Sequence, residues 1–142
     1  MLCKLHIPNI LNKQNEIKIM LVKDIRNCRE IVSKDNTILK ELLSPLKDDV
    51  KIRYSLAHAK VSPGGITLPH RLKSTEVYYI LEGNGKMRID DEWREVRKGN
   101  IIYIPPGSIQ QIKNIGNETL AFLCIVDPAW RVENEEILDE NV

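Results

Sequence analysis

The sequence predicts an all-β fold, a barrel or sandwich of short strands, for most of its 142 residues. From Lys51 onward, short apolar segments rich in Ile, Val, Tyr and Phe recur at intervals of roughly ten residues. Turn-forming clusters such as Pro63-Gly64-Gly65 and Pro105-Pro106-Gly107 separate these segments. Charged and apolar residues alternate from Lys86 to Ile89, which predicts a strand with one face outside and Met87 and Ile89 inside.

Six segments meet these criteria for strands, because each is rich in β-branched or aromatic residues and is bounded by turn residues. In the first of them, Ala57, Ala59 and Val61 share one face, and His58 shares the opposite face with Lys60. The predicted strands are Arg53–Val61, Glu76–Glu82, Lys86–Asp90, Asn100–Ile104, Gln110–Asn114 and Leu120–Val126.

The region before Lys51 allows two interpretations. Apolar residues from Ile38 to Leu43 fit a helical stripe capped by Asp35 or Asn36, and they also fit a strand that ends before Pro45. Ile17–Val22 is a candidate for a further strand and Asn27–Ser33 for a short helix. We therefore predict a single domain with three parts: residues 1–50 form an arm of short strands or helix that packs on the barrel, residues 51–128 form the barrel, and residues 129–142 form an acidic tail.

Composition excludes several classes of function. The 21 Lys and Arg residues nearly balance the 20 Asp and Glu residues, and the net charge of +1 provides no basic surface for nucleic acid. No apolar run is long enough to span a membrane. Cys3, Cys28 and Cys124 are odd in number and far apart, which favours a reducing compartment. We expect a soluble cytoplasmic protein.

Two spaced motifs carry the chemistry. In the first, Gly64 is followed by five residues and His70, one residue and Leu72, three residues and Glu76, then six residues and Gly83. The second places Gly99, Pro105, Gly107, Gln110 and Asn114 at similarly fixed intervals. Both spacings resemble the two motifs of the cupin family, and the chain is similar to small single-domain archaeal and bacterial cupins. Leu72 and Gln110 occupy positions where the family pattern has histidine.

The resemblance implies a double-stranded β-helix, a conical jelly-roll barrel, with its site around His70 and Glu76. It also implies a divalent transition metal, Mn, Fe, Co, Ni or Zn, which cupins hold with three histidines and a glutamate. Two of those imidazoles are missing here. Three alternatives remain open. His70, Glu76 and Gln110 hold a metal, or they form a metal-free pocket in which Glu76 and His70 exchange a proton with a small molecule. In the third alternative the three side chains only satisfy one another's hydrogen bonds.

Strand parity extends the site. Tyr78 and Ile80 share the parity of Glu76, and Cys124 lies on the predicted inner face of its strand. The candidate catalytic residues are Glu76, as base, and His70. The candidate metal ligands are His70, Glu76 and Gln110. The predicted pocket residues are Leu72, Tyr78, Ile80, Gln110, Ile112 and Cys124.

Three functions fit the resemblance. The first is a cupin that binds a small molecule at a degenerate metal site. The second is a metal-dependent enzyme of the isomerase, epimerase or dioxygenase-like kinds. The third is a non-catalytic sensing module or a structural dimer, since one barrel hosts all of them. We also expect a homodimer, formed through an outer sheet face that buries Val77, Tyr79 and Leu81 or through an exchanged N-terminal strand.

Overall fold

Two antiparallel sheets enclose the core of the protein, which we describe from a computed structural model over residues 20–142. Eleven strands form in this part of the chain. They are β1 (Glu30–Val32), β2 (Ile38–Leu43), β3 (Ser55–Val61), β4 (His70–Leu72), β5 (Thr75–Glu82), β6 (Asn84–Ile89), β7 (Glu92–Arg97), β8 (Ile101–Ile104), β9 (Gln110–Asn114), β10 (Leu120–Asp127) and β11 (Glu135–Ile137). Short 3₁₀ turns at Ile25–Asn27 and Val132–Asn134 are the helical segments found in residues 20–142, and neither could cross a membrane.

The larger sheet has the order β1-β2-β3-β10-β5-β8, and the smaller has the order β11-β4-β9-β6-β7. Inward side chains from both sheets meet in one apolar core, as alternation along the strands requires. Phe122, Ile80 and Leu120 come from the larger sheet, while Ile112 and Met87 come from the smaller. The predicted all-β jelly-roll barrel is confirmed.

The six predicted strands all form, and Gln110–Asn114 has the predicted bounds. Three further strands, β4, β7 and β11, lie where no strand was predicted. β4 and β11 have only three residues each, too few for alternation to show. Four of the six residues of β7 are charged and most of the strand is exposed, so its apolar signal is weak.

The arm resolves the choice left open by the sequence, because Ile38–Leu43 is a strand. It pairs antiparallel with β3, and every one of its side chains is half-buried, unlike the two-sided pattern of a surface helix. The predicted helix at Asn27–Ser33 is wrong: a 3₁₀ turn ends at Asn27, and β1 pairs with β2 as a hairpin. Of the predicted strand Ile17–Val22, residues 17–19 lie outside the described part, and the remainder has no regular structure.

Candidate functional site

A cavity of about 360 Å³ lies between the two sheets, within the size range of small-molecule sites. Its walls come from four parts of the chain: the β1–β2 hairpin, strands β3 and β10 of the larger sheet, the first motif, and the tail. The walls are largely apolar. Their apolar members include Leu39, Ala57, Ala59, Leu72, Tyr78, Phe122, Cys124, Val126 and Trp130.

Glu76 is one of the carboxyl groups that line this cavity. Strand β5 directs it inward, with 6% of its surface exposed, and its Oε1 has no hydrogen-bond partner among residues 20–142. Burial raises the pKa of Glu76 to about 8, an effect that a hydrogen bond from the Gln110 amide opposes in part and that the carboxylates of Asp35 and Glu135 reinforce. Glu76 is therefore mostly a neutral carboxylic acid at pH 7.

The two ring nitrogens of His70 lie beside a backbone carbonyl and a carboxylate. Its Nδ1 lies 2.8 Å from the carbonyl oxygen of Leu68, and because a carbonyl only accepts, this nitrogen carries the proton. Its Nε2 lies 3.4 Å from Oδ2 of Asp35. His70 is 3% exposed, so these contacts are shielded from water. The imidazole is thus oriented by one backbone group and one carboxylate.

Asp35 reaches His70 from the tip of the β1–β2 hairpin. Its Oδ1 accepts hydrogen bonds from the backbone N–H of Thr37, at 3.1 Å, and from the hydroxyl of Ser33. Its own carbonyl accepts from the N–H of Leu68, at 2.8 Å. The hairpin tip is therefore fastened beside the first motif by backbone and side-chain contacts, and it closes one side of the cavity.

Gln110 connects the two sheets behind the cavity. The hydroxyl of Tyr78, on β5, donates to its Oε1 at 3.0 Å, and Gln110 is 1% exposed. The ring of Tyr78 also packs on Phe122, with centroids 4.5 Å apart. Burial, and then the nearby Glu76, raise the pKa of Tyr78. The phenol is thus a neutral donor that is already used.

The structure brings together some of the predicted site residues and separates others. Of those residues, His70, Glu76, Leu72, Tyr78 and Cys124 line the cavity. Ile80 and Ile112 lie in the closed apolar core, and Gln110 lies behind Tyr78 without lining the cavity. Burial, and then Glu76 and Asp35, raise the pKa of the Cys124 thiol, so this residue is an uncharged part of the wall.

Sequence reasoning missed the cavity residues that lie outside the two motifs. Asp35 was read as a possible helix cap, although Lys34-Asp35-Asn36 between two apolar segments also fits a hairpin turn, and Asn36 has the positive φ of such a turn. Trp130 and Glu135 lie in the tail, where the Nε1–H of Trp130 donates to Glu135 at 3.1 Å. No pattern in the sequence pointed to either.

Comparison with known proteins agrees with this geometry. The family model of the cupin domain matches residues 57–126. An uncharacterised protein of Methanocaldococcus jannaschii is 46% identical over 109 residues, covering 76% of this chain and 86% of that protein. The chain belongs to the cupin family.

More distant relatives of this cupin include enzymes. Glucose-6-phosphate isomerase of Pyrococcus furiosus is 28% identical over 116 residues, covering 72% of this chain but 61% of the isomerase. The solved structure of the polyketide cyclase RemF from Streptomyces resistomycificus superposes with a TM-score of 0.71 at 24% identity, covering 86% of this chain and 89% of that one. The similarity to RemF shows that the two proteins share a fold.

The side chains of this cupin do not fit the metal that its family pattern implies. Residues 20–142 contain no group of three or more His, Cys, Asp or Glu residues placed to hold a metal ion. Leu72 has no donor atom, and Oε1 of Gln110 already accepts a hydrogen bond from Tyr78.

The first prediction concerns the stability conferred by Glu76. Its carboxyl group ionises near pH 4.5 in the unfolded chain but near pH 8 in the folded protein. Between these values the unfolded state binds fewer protons, so this group lowers the free energy of unfolding by about 1.4 kcal/mol per pH unit as the pH rises.

Glu76→Gln removes this titration. In urea denaturation, the free energy of unfolding of the wild type minus that of the variant should fall between pH 4.5 and about 8 and become level above that range. A constant difference across this window would show that Glu76 ionises at an ordinary pKa in the folded protein.

The second prediction concerns metal binding. Protein expressed with metal supplementation and purified without a histidine tag should carry less than about a tenth of an equivalent of transition metal by elemental analysis, because the donors are missing or engaged. The double variant Leu72→His/Gln110→His provides two imidazoles at the family positions and should bind close to one equivalent. Leu72→His alone is the control and should bind less. Stoichiometric metal in the wild type would contradict our reading of the site.

Proposed function

We propose that this cupin binds a small molecule in the cavity between its sheets, without a metal, and that Glu76 is the group that recognises it. The observation that supports the proposal is that Glu76, whose Oε1 has no hydrogen-bond partner, lines a cavity of about 360 Å³. Leaving a buried polar group unsatisfied costs about 1–3 kcal/mol. A ligand that donates a hydrogen bond to this carboxyl group would recover part of this free energy on binding.

The neighbouring polar groups support the choice of Glu76. Tyr78 already donates to Gln110, and His70 already contacts Leu68 and Asp35. Among His70, Glu76, Tyr78 and Gln110, Glu76 alone retains a buried oxygen without a partner. Specificity in such pockets comes from a few polar groups on an apolar wall, and Glu76 is the group left for this purpose.

Proton transfer to a bound molecule is a second candidate function. A pKa of about 8 allows Glu76 to give and take a proton near neutral pH, as a general acid or base requires. One relative is named as an isomerase. In this case Glu76 would be the catalytic residue, acting as an acid in the free protein at pH 7, and Asp35 would orient His70 at the same cavity.

The third prediction tests the cavity itself. A library of small fragments should yield ligands that shift backbone amide NMR signals of cavity residues. Ala57→Phe places a ring in the cavity from β3 and should weaken these ligands at least about tenfold, since it removes the volume that they fill. Leu56→Phe is the matched control, because Leu56 is the adjacent residue and faces the opposite side of the same strand.

Circular dichroism and melting curves establish that both variants fold. Binding that survives Ala57→Phe would place the ligand elsewhere and contradict the proposal, as would a screen without any cavity ligand. The same NMR samples distinguish the two functions. Conversion of a bound compound, abolished by Glu76→Gln, supports proton transfer, whereas binding without conversion supports a binding or sensing module.

The homodimer stays a prediction, and we propose that it forms through an apolar outer face of the larger sheet. The outer apolar face comprises Val77, Tyr79, Ile101, Tyr103 and Ile125, which are neighbours in the register of β10, β5 and β8. Ile101 is 72% exposed and Tyr103 59% exposed. Leu81, on the same side of β5, is half-buried. Because β8 is the edge strand, this face extends to the border of the sheet, and we propose that a second copy covers it.

The fourth prediction concerns this interface. Light scattering after gel filtration should give twice the mass of one chain for the wild type, and Ile101→Lys should shift the protein to a single chain, because a buried lysine without a partner is costly. Ile115→Lys is the control, since Ile115 is also exposed but lies in the loop between β9 and β10. A monomeric wild type would exclude the dimer.

A further inference from the structure

The charges around the cavity restrict which molecule it can accept, an inference that rests on the proposed function. Four carboxyl groups line the cavity, from Asp35, Glu41, Glu76 and Glu135, against two lysines. Lys47 lies 3.3 Å from Glu41 in an ion pair and is largely exposed. Lys34, at the hairpin tip, is exposed. The inner part of the cavity therefore has more acidic than basic groups.

The inner carboxyl groups differ in how well they are satisfied. Asp35 accepts from Thr37 and Ser33 and faces His70, and Glu135 accepts from the indole of Trp130. Glu76 is the one with an unpartnered oxygen, although it is more than nine-tenths buried. The negative field of Asp35 and Glu135 is felt at this carboxyl group, since both carboxylates disfavour its ionisation.

A positive charge beside Glu76 would instead favour the ionised form of its carboxyl group. An ammonium group would donate hydrogen bonds to the carboxyl group of Glu76 and would be attracted by the two neighbouring carboxylates. An anion at the same place would be repelled by them and would find no unpaired cation in the inner cavity. The rings of Tyr78, Phe122 and Trp130 on the walls suit an apolar body attached to the charged group.

We propose that the ligand is a cationic amine on an apolar, ring-sized body, and that its ammonium group lies against Glu76 between Asp35 and Glu135. Phosphorylated or carboxylated molecules are excluded from the inner cavity. This cupin would then differ in substrate class from its Pyrococcus furiosus relative, which is named for a sugar phosphate.

A series of three indoles tests this inference, because tryptamine, tryptophol and indole-3-acetate share a ring and a similar side-chain length and differ in charge. Binding to the full chain is followed by NMR titration at constant pH and salt. Tryptamine should bind at least about tenfold more tightly than tryptophol, and indole-3-acetate and glucose 6-phosphate should not bind detectably.

Two variants identify the group that discriminates. Glu76→Gln keeps the shape of the neutral side chain but cannot form an ion pair, so it should weaken tryptamine at least about tenfold and change tryptophol by less than about threefold. Glu82→Gln is the matched control. Glu82 is on the same strand as Glu76 but is exposed and does not line the cavity, and its substitution should leave the preference for tryptamine in place.

Other results separate this inference from the proposed function. Cavity binding of indole-3-acetate or glucose 6-phosphate as tight as that of tryptamine would overturn the inference and leave a small-molecule site intact. Fragment ligands that are all uncharged, with no indole bound, would do the same. Equal affinity of tryptamine for the wild type and for Glu76→Gln would also overturn it. A fragment screen with no cavity ligand at all would end both proposals.

Discussion

Glu76 lies between the two sheets with one carboxyl oxygen beyond the reach of every donor in the described part of the chain. Filling the space around it with apolar side chains would close the cavity but leave this oxygen permanently unsatisfied. The barrel instead keeps about 360 Å³ beside the carboxyl group. The proton that Glu76 retains near neutral pH reduces the cost of burial, because a neutral acid is far less expensive to bury than a carboxylate. The burial that leaves this oxygen without a partner thus also keeps Glu76 protonated near neutral pH.

The two departures from the cupin pattern explain why Glu76 has this environment. Gln110, in place of an imidazole, gives the hydroxyl of Tyr78 an acceptor, so the phenol is directed toward β9. Leu72 forms an apolar wall where the pattern has a second imidazole. His70 meets Asp35 from the arm. With Leu72 and Gln110 in place of two histidines, the site has fewer metal-ligating side chains and combines apolar with polar groups.

Alternation and motif spacing predicted the parts of this site that lie on regular strands. Alternation along β5 and β10 directs Glu76, Tyr78 and Cys124 inward, and the resemblance to the cupin motifs implied that His70, Glu76 and Gln110 meet. The same reasoning placed Ile80 and Ile112 in the pocket, and they lie in the closed core, because parity gives the side of a sheet but not the depth within a barrel. The arm resisted prediction for a related reason: a six-residue apolar segment satisfies both helical and strand periods, and the choice depended on pairing with β3, a tertiary contact.

The residues that close the cavity come from outside the segment that the family model matches. Residues 57–126 supply His70, Glu76 and the apolar floor, whereas Asp35 comes from the preceding hairpin, and Trp130 and Glu135 come from the following tail. These two outer segments supply the carboxylates that act on Glu76. If the cavity binds a small molecule as proposed, proteins that share the matched barrel can differ in the charge of the ligand they accept, because these carboxylates lie outside the barrel. The barrel positions the carboxyl group of Glu76, and the arm and tail supply the charges beside it.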